Sequence, residues 1–205
     1  MSATFNVQLL TGQVLLFRPR TLLGHAISIL QWQWPSWRPL SHAAPVWVIT
    51  EPTRLAGIQR TIEPGTYCVD AVGGGLRVNS VAAHLLAGAS IIVRDVPPSV
   101  RDGIEPAIIA ERARLWHHEN VGYVSYAKFR LLAFLVRCPL GWRPRDEKGS
   151  RVLRSTVCSS YTSRSTYEVF NHDDVPGYRR RWTTPSDLAA TRELVTKTRE
   201  LRRVA

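Results

Sequence analysis

The stretch SHAAPVWVIT, residues 41–50, constrains the fold most, because it sets a proline inside an apolar run of strand character. In an extended chain His42, Ala44, Val46 and Val48 share one face, and the imidazole projects from the mouth of the strand. Pro45 has no amide hydrogen to give, so the side of the strand that it faces must be an edge or a bulge. A lone histidine at a strand end is commonly a satisfied polar residue, so His42 needs company before it means chemistry.

Other stretches read around this strand. GQVLLFRPR, residues 12–20, is a short buried strand that stops at Pro19. A helix is predicted next, with Leu22, Leu23, Ala26, Ile27 and Leu30 on an apolar stripe and His25 off it. QWQWPSWRPLS holds three tryptophans and two prolines, which forbid a regular helix. Trp32, Trp34 and Trp37 either border a substrate groove or pack beneath their loop. From Gly65, GTYCVDAVGGGLRVNSV reads as two strands around a glycine turn, with Cys68, Asp70 and Val72 on one face. Strands disfavour aspartate, so Asp70 requires an exposed face, a buried partner or a histidine to orient. The triple glycine lacks phosphate-loop spacing and serves as a permissive turn.

Further along, Ser80 is placed to cap a short helix through Leu86, and SIIVRDV supplies a strand. Two helices are predicted over residues 105–119 and 125–137, with His117 and His118 structural at the end of the first. Residues 138–154 read as a polar loop. TTPSDLAATRELVTKTRELRR carries Thr184 as a cap, Pro185 in the first helical position and Asp187 three after the cap, so a basic C-terminal helix is predicted over 185–203.

A chain of 205 residues with 44% hydrophobic side chains is of a size and composition for one domain with its own core. No secretory leader pattern and no apolar run of spanning length is present, so cytoplasmic synthesis and no membrane span are expected. Cys68, Cys138 and Cys158 cannot all pair within the chain and lack clustered metal-ligand spacing, which points to a reducing compartment, no metal and no cofactor. Twenty-seven basic against sixteen acidic residues give a formal charge of +11, which suits an anionic partner without naming one. The densest basic runs, residues 178–182 and the terminal RELRRVA, read as a solvated loop and a helix end. No recognisable nucleic-acid motif accompanies the charge, so nucleic acid is a weak candidate partner.

The strongest candidate for chemistry is RVLRSTVCSSYTSRSTYEVF, residues 151–170. Cys158 falls where a polar loop turns into a helix, behind Ser155 and Thr156, either of which suits a cap. A thiol in a first helical turn meets the positive end of the helix dipole and free amide hydrogens, which favour the thiolate and an oxyanion.

In their order along the chain, GQVLLFRPR, a helix, SHAAPVWVI, CVDAVGGGLRVNSV, GYVSYAKFRLL, STVCSSYTSRSTYEVF and TTPSDLA resemble the circularly permuted papain-like hydrolases, the YiiX relatives within the NlpC superfamily. The resemblance covers about residues 12–190. It implies an α+β fold in which a small antiparallel sheet packs against helices, with the histidine strand before the cysteine helix and the cysteine at that helix's N-terminus. By matching positions it implies Cys158 as nucleophile, His42 as base and Asp70 as the orienting residue, where relatives often carry glutamate. Tyr126, in GYVSY, matches a tyrosine that lines the site. Pro45 replaces the small residue usual after the histidine, and CSSY stands where relatives often have CSE. The implied activity is cleavage of an amide, first of all a peptide bond in peptidoglycan. A thioesterase or lipid acyltransferase ranks lower, since the branch related to lecithin:retinol acyltransferase differs around its cysteine. The rival from another class is a noncatalytic basic module of a larger assembly such as a phage tail, which would make the chain virion-associated.

Overall fold

The computed structural model describes residues 4–30, 39–54, 61–72, 75–102, 122–123, 155–156, 158–170 and 183–204. Trp32, Trp34, Trp37, Tyr126, His117, His118 and Cys138 lie outside the described residues, as do the helices predicted over 105–119 and 125–137, the loop 138–154 and the basic run 178–182.

Most of the apolar runs are short, and short runs rich in valine, isoleucine and leucine pair as strands. In chain order the first elements are β1 (Thr4–Phe5), β2 (Val14–Phe17), α1 (Leu22–Leu30), β3 (His42–Ile49), β4 (Thr53–Arg54), β5 (Thr61–Ile62), β6 (Gly65–Val72) and β7 (Gly75–Ser80). There follow α2 (Val81–Leu86), β8 (Ile91–Asp95), α3 (Pro98–Arg101), β9 (Gly122–Tyr123), β10 (Ser155–Thr156), α4 (Cys158–Phe170), α5 (Pro185–Ala190), β11 (Val195–Thr198) and β12 (Arg203–Val204). Six strands form one sheet in the order β11-β8-β2-β3-β6-β7, and every neighbouring pair in it is antiparallel. The protein is thus a mixed α and β fold built on a mostly antiparallel sheet. The short pair β9 and β10 is parallel.

Alternation along β3 distributes two cores across the sheet. Ala43, Trp47 and Ile49 join Val14, Leu16, Val69, Leu188 and the α4 residues Cys158, Tyr161 and Phe170 on one face. Ala44 and Val46 join Leu15, Phe17, Cys68, Val81, Ile91 and Leu201 on the other. Each fully buried leucine or valine in these layers stabilises the fold by about 1.5–3 kcal/mol relative to exposure. Gly12 fixes the seat of α4: its φ is +87°, and a Cβ there would lie 2.7 Å from the ring of Phe170.

Two helical expectations change. In α1 Leu22 and Leu23 of the predicted stripe face outward, 91% and 69% exposed, while Gly24 and Ser28 are buried. Close approach decides this, because a Cβ on Gly24 would come within 3.3 Å of both Pro19 and Thr21. The helix predicted over 185–203 ends at Ala190, and the chain continues into β11 and β12. The cause is nonlocal. The buried Arg94 of β8 donates to the carbonyl oxygens of Leu188, Ala189, Thr191 and Leu194, acceptors that a continuing helix would need for its own amides. Val195–Thr198, rich in β-branched residues, then pairs with the edge of β8. RELRRVA is therefore a strand approach and not a helix end, Leu194 and Leu201 are buried, and the core extends past residue 190. Arg203–Val204 pairs with Thr4–Phe5.

The start of α5 follows the sequence. Thr184 Oγ1 accepts from the Asp187 amide at 3.2 Å, and Asp187 Oδ2 accepts from the Thr184 amide at 2.8 Å, a complete capping box. Thr184→Ala is expected to destabilise the protein by about 1–2 kcal/mol, read as a shift in urea midpoint at unchanged slope. Ser80 precedes α2 as expected, but its side chain makes no cap bond.

Candidate active site

Pro45 shapes the site. Val46 gives its amide hydrogen to Gln13 and its carbonyl to the Gly12 amide, so both groups point toward β2. Antiparallel ladders alternate, so the backbone of Pro45 and of Ala43 points toward β6. The β3–β6 ladder covers Val46–Ile49 only, beginning just past the residue that has no hydrogen to offer. This is the broken side that the sequence required. It also leaves the Ala43 amide hydrogen unused by the sheet.

Cys158 occupies that opening. It is the first residue of α4, and its sulfur is hydrogen-bonded by the backbone amides of Ala43 and Ser159 and by the side chain of His42. The other end of the imidazole is held: His42 Nε2 donates to Asp70 Oδ1 at 2.9 Å, which leaves Nδ1 as the ring nitrogen for the thiol. Three residues far apart in the chain thus meet in the order Cys158, His42, Asp70. Two come from neighbouring strands and one from the first turn of a helix packed on the opposite face.

The charges agree with this geometry. Burial opposes ionisation of Cys158, but the adjacent His42 charge, its hydrogen bond and the two amide donors outweigh burial and lower the thiol's pKa. Burial likewise opposes a charged His42, yet the Cys158 charge and the bonds to Asp70 and Cys158 push it up to about 10. Asp70 is buried, which opposes its charge, but hydrogen bonds from His42, His84 and Asn79 hold its carboxyl well below the usual range. Cys68 has the opposite setting. Burial, then the Asp70 charge beside it, push its thiol well up, so it stays protonated. Each charge favours the other, so Cys158 and His42 titrate as one coupled pair.

The structure brings together Cys158, His42 and Asp70, which the sequence singled out, with three neighbours that it did not. His84 of α2 donates from Nε2 to Asp70 Oδ2 at 2.9 Å, and Asn79 of β7 donates from Nδ2 to the same oxygen at 2.6 Å. Phe17 packs its ring against both imidazoles, at 5.3 Å from His42 and 5.1 Å from His84. Hairpin register was the available signal. Around the glycine turn Asp70 faces Arg77 and Cys68 faces Asn79, which puts Asn79 diagonal to Asp70 on the shared face. Cys68, Asp70 and His84 bring a thiol, a carboxylate and an imidazole within 4.8 Å of one another, ligand types that suit zinc. Hydrogen bonds already join them, since the Cys68 thiol reaches Asp70 Oδ1 at 3.8 Å and the Asn79 carbonyl at 3.6 Å. Among the described residues this cluster reads as a proton-sharing network around one carboxylate.

Among the described residues no helix is long and apolar enough to cross a membrane. Comparison with protein-family models and with curated proteins returns no match to this chain, so the site is read from its own geometry.

Proposed function

We propose that the protein is a cysteine hydrolase of permuted papain-like fold that cleaves an amide bond, with a peptide bond of peptidoglycan as its leading substrate. One observation carries the reading: a cysteine at a helix N-terminus shares a hydrogen bond with the imidazole whose far nitrogen is fixed by a buried carboxylate. That is the arrangement nucleophilic acyl transfer needs. The Cys158 thiolate attacks the carbonyl carbon, and amides at the start of α4 receive the charge that develops on oxygen. His42 then gives its proton to the departing amine as the carbon–nitrogen bond breaks, leaving a thioester on Cys158. Water attacks this thioester while His42 accepts one of its protons, and the carboxylic acid leaves as the thiolate and imidazolium return. Asp70 keeps Nδ1 turned to the sulfur throughout.

Purified peptidoglycan and a set of model peptides and thioesters test the proposal. New amino termini should appear with native protein and fail to appear once Cys158 has been alkylated. Tight binding of peptidoglycan by native protein without any acyl cleavage would instead identify a noncatalytic module. Faster turnover of thioesters alone, with no amide cut, would move the substrate to the thioesterase class.

A further inference from the structure

Asp70 has more partners than an orienting carboxylate requires. Oδ1 accepts from His42 and from the Cys68 thiol, while Oδ2 accepts from His84 and Asn79, so both oxygens are held. A carboxylate held through one oxygen pivots about its Cβ–Cγ bond, and fixing the second oxygen fixes its plane. His84 supplies that hold from α2, which follows directly on β7. We propose that His84 is a positioning residue at the far end of a four-member chain, His84–Asp70–His42–Cys158, and that its hold on the second Asp70 oxygen sets the reactivity of Cys158. This rests on the hydrolase reading through the reactivity of Cys158 and not through any substrate.

The proton count follows from the acceptor. A carboxylate only accepts, so neutral His84 carries its hydrogen on Nε2 and leaves Nδ1 for solvent, consistent with a side chain 28% exposed. Without the bond from His84 the carboxylate is less firmly oriented, its hold on His42 weakens, and Cys158 loses part of the support for its charge.

Peptide-resolved iodoacetamide alkylation of Cys158 between pH 5 and 9, on the full chain, tests this. H84A should slow the plateau rate about tenfold, a coupling of ordinary size within one hydrogen-bond network. H84Q keeps an N–H donor without a titrating ring, and should recover to within about threefold of native protein. An activated native Cys158 with an unchanged H84A rate overturns the proposal alone. So does an H84Q as slow as H84A. A native Cys158 that alkylates like an ordinary thiol removes the catalytic triad itself, and the proposal with it.

Discussion

Replacement of His42 by alanine is expected to abolish turnover, by at least about ten-thousandfold, because one imidazole serves as both base and acid in the same cycle. Alkylation of Cys158 should fall far less, and the two losses together identify the role. Without the imidazolium an ordinary thiol of pKa about 8.5 is ionised in only about one molecule in 300 at pH 6. The more basic thiolate that remains is intrinsically the better nucleophile, which returns a factor of about ten, so the loss is at most about thirtyfold. Equal losses in both assays would mean that His42 only holds the site together. Cys68 provides the internal control, since burial and the Asp70 charge keep its thiol protonated while Cys158 is shifted the other way. In native protein amide turnover should hold through neutral pH and decline as pH rises toward about 10, where the imidazolium that protonates the leaving amine is lost. A decline centred near pH 6.5, where an unperturbed imidazole titrates, would show that the pair is not coupled.

How much of this was legible beforehand depends on whether the deciding interaction was local. Strand alternation put His42 on its face and marked Asp70 as out of place, and the first-turn position marked Cys158; all three follow from neighbours in sequence. The opening beside Pro45 was equally readable, since a missing amide hydrogen is a property of one residue. His84 was not, because in the run VAAHLL it looks like any helix residue until β7 returns the helix over Asp70. The C-terminal segment misled for a similar reason. Thr184, Pro185 and Asp187 mark a helix start, and only Arg94, more than ninety residues earlier, takes up the carbonyls that a longer helix would need. In α1 the outward turn of Leu22 and Leu23 goes with Gly24, where a Cβ would come within 3.3 Å of Pro19 and Thr21.

Asp70→Asn should cost nearly as much activity as loss of His42, about ten-thousandfold, because an amide offers one acceptor oxygen where the carboxylate offered two and no longer balances the imidazolium. The amide's own N–H₂ would have to face a donor, either the 2.6 Å Asn79 amide or one of the two imidazoles. The fold should lose about 2 kcal/mol, the usual scale for hydrogen bonds to a charged group that is left imperfectly replaced. Its pH dependence has a definite sign. The folded Asp70 is held below its unfolded value near about 3.9, so its contribution is complete above that pH and vanishes as pH falls through the lower folded value. His42 is raised from 6.5 to about 10, so its share is complete below about pH 6.5 and is lost as pH climbs toward 10. The stability gap between native protein and Asp70→Asn should therefore be widest between about pH 4 and 6.5 and narrower at pH 9, measured as urea unfolding free energies at pH 5 and pH 9. A gap of the same size at both pH values would show that the amide disturbs packing alone, and that the Asp70 charge does not hold the His42 cation.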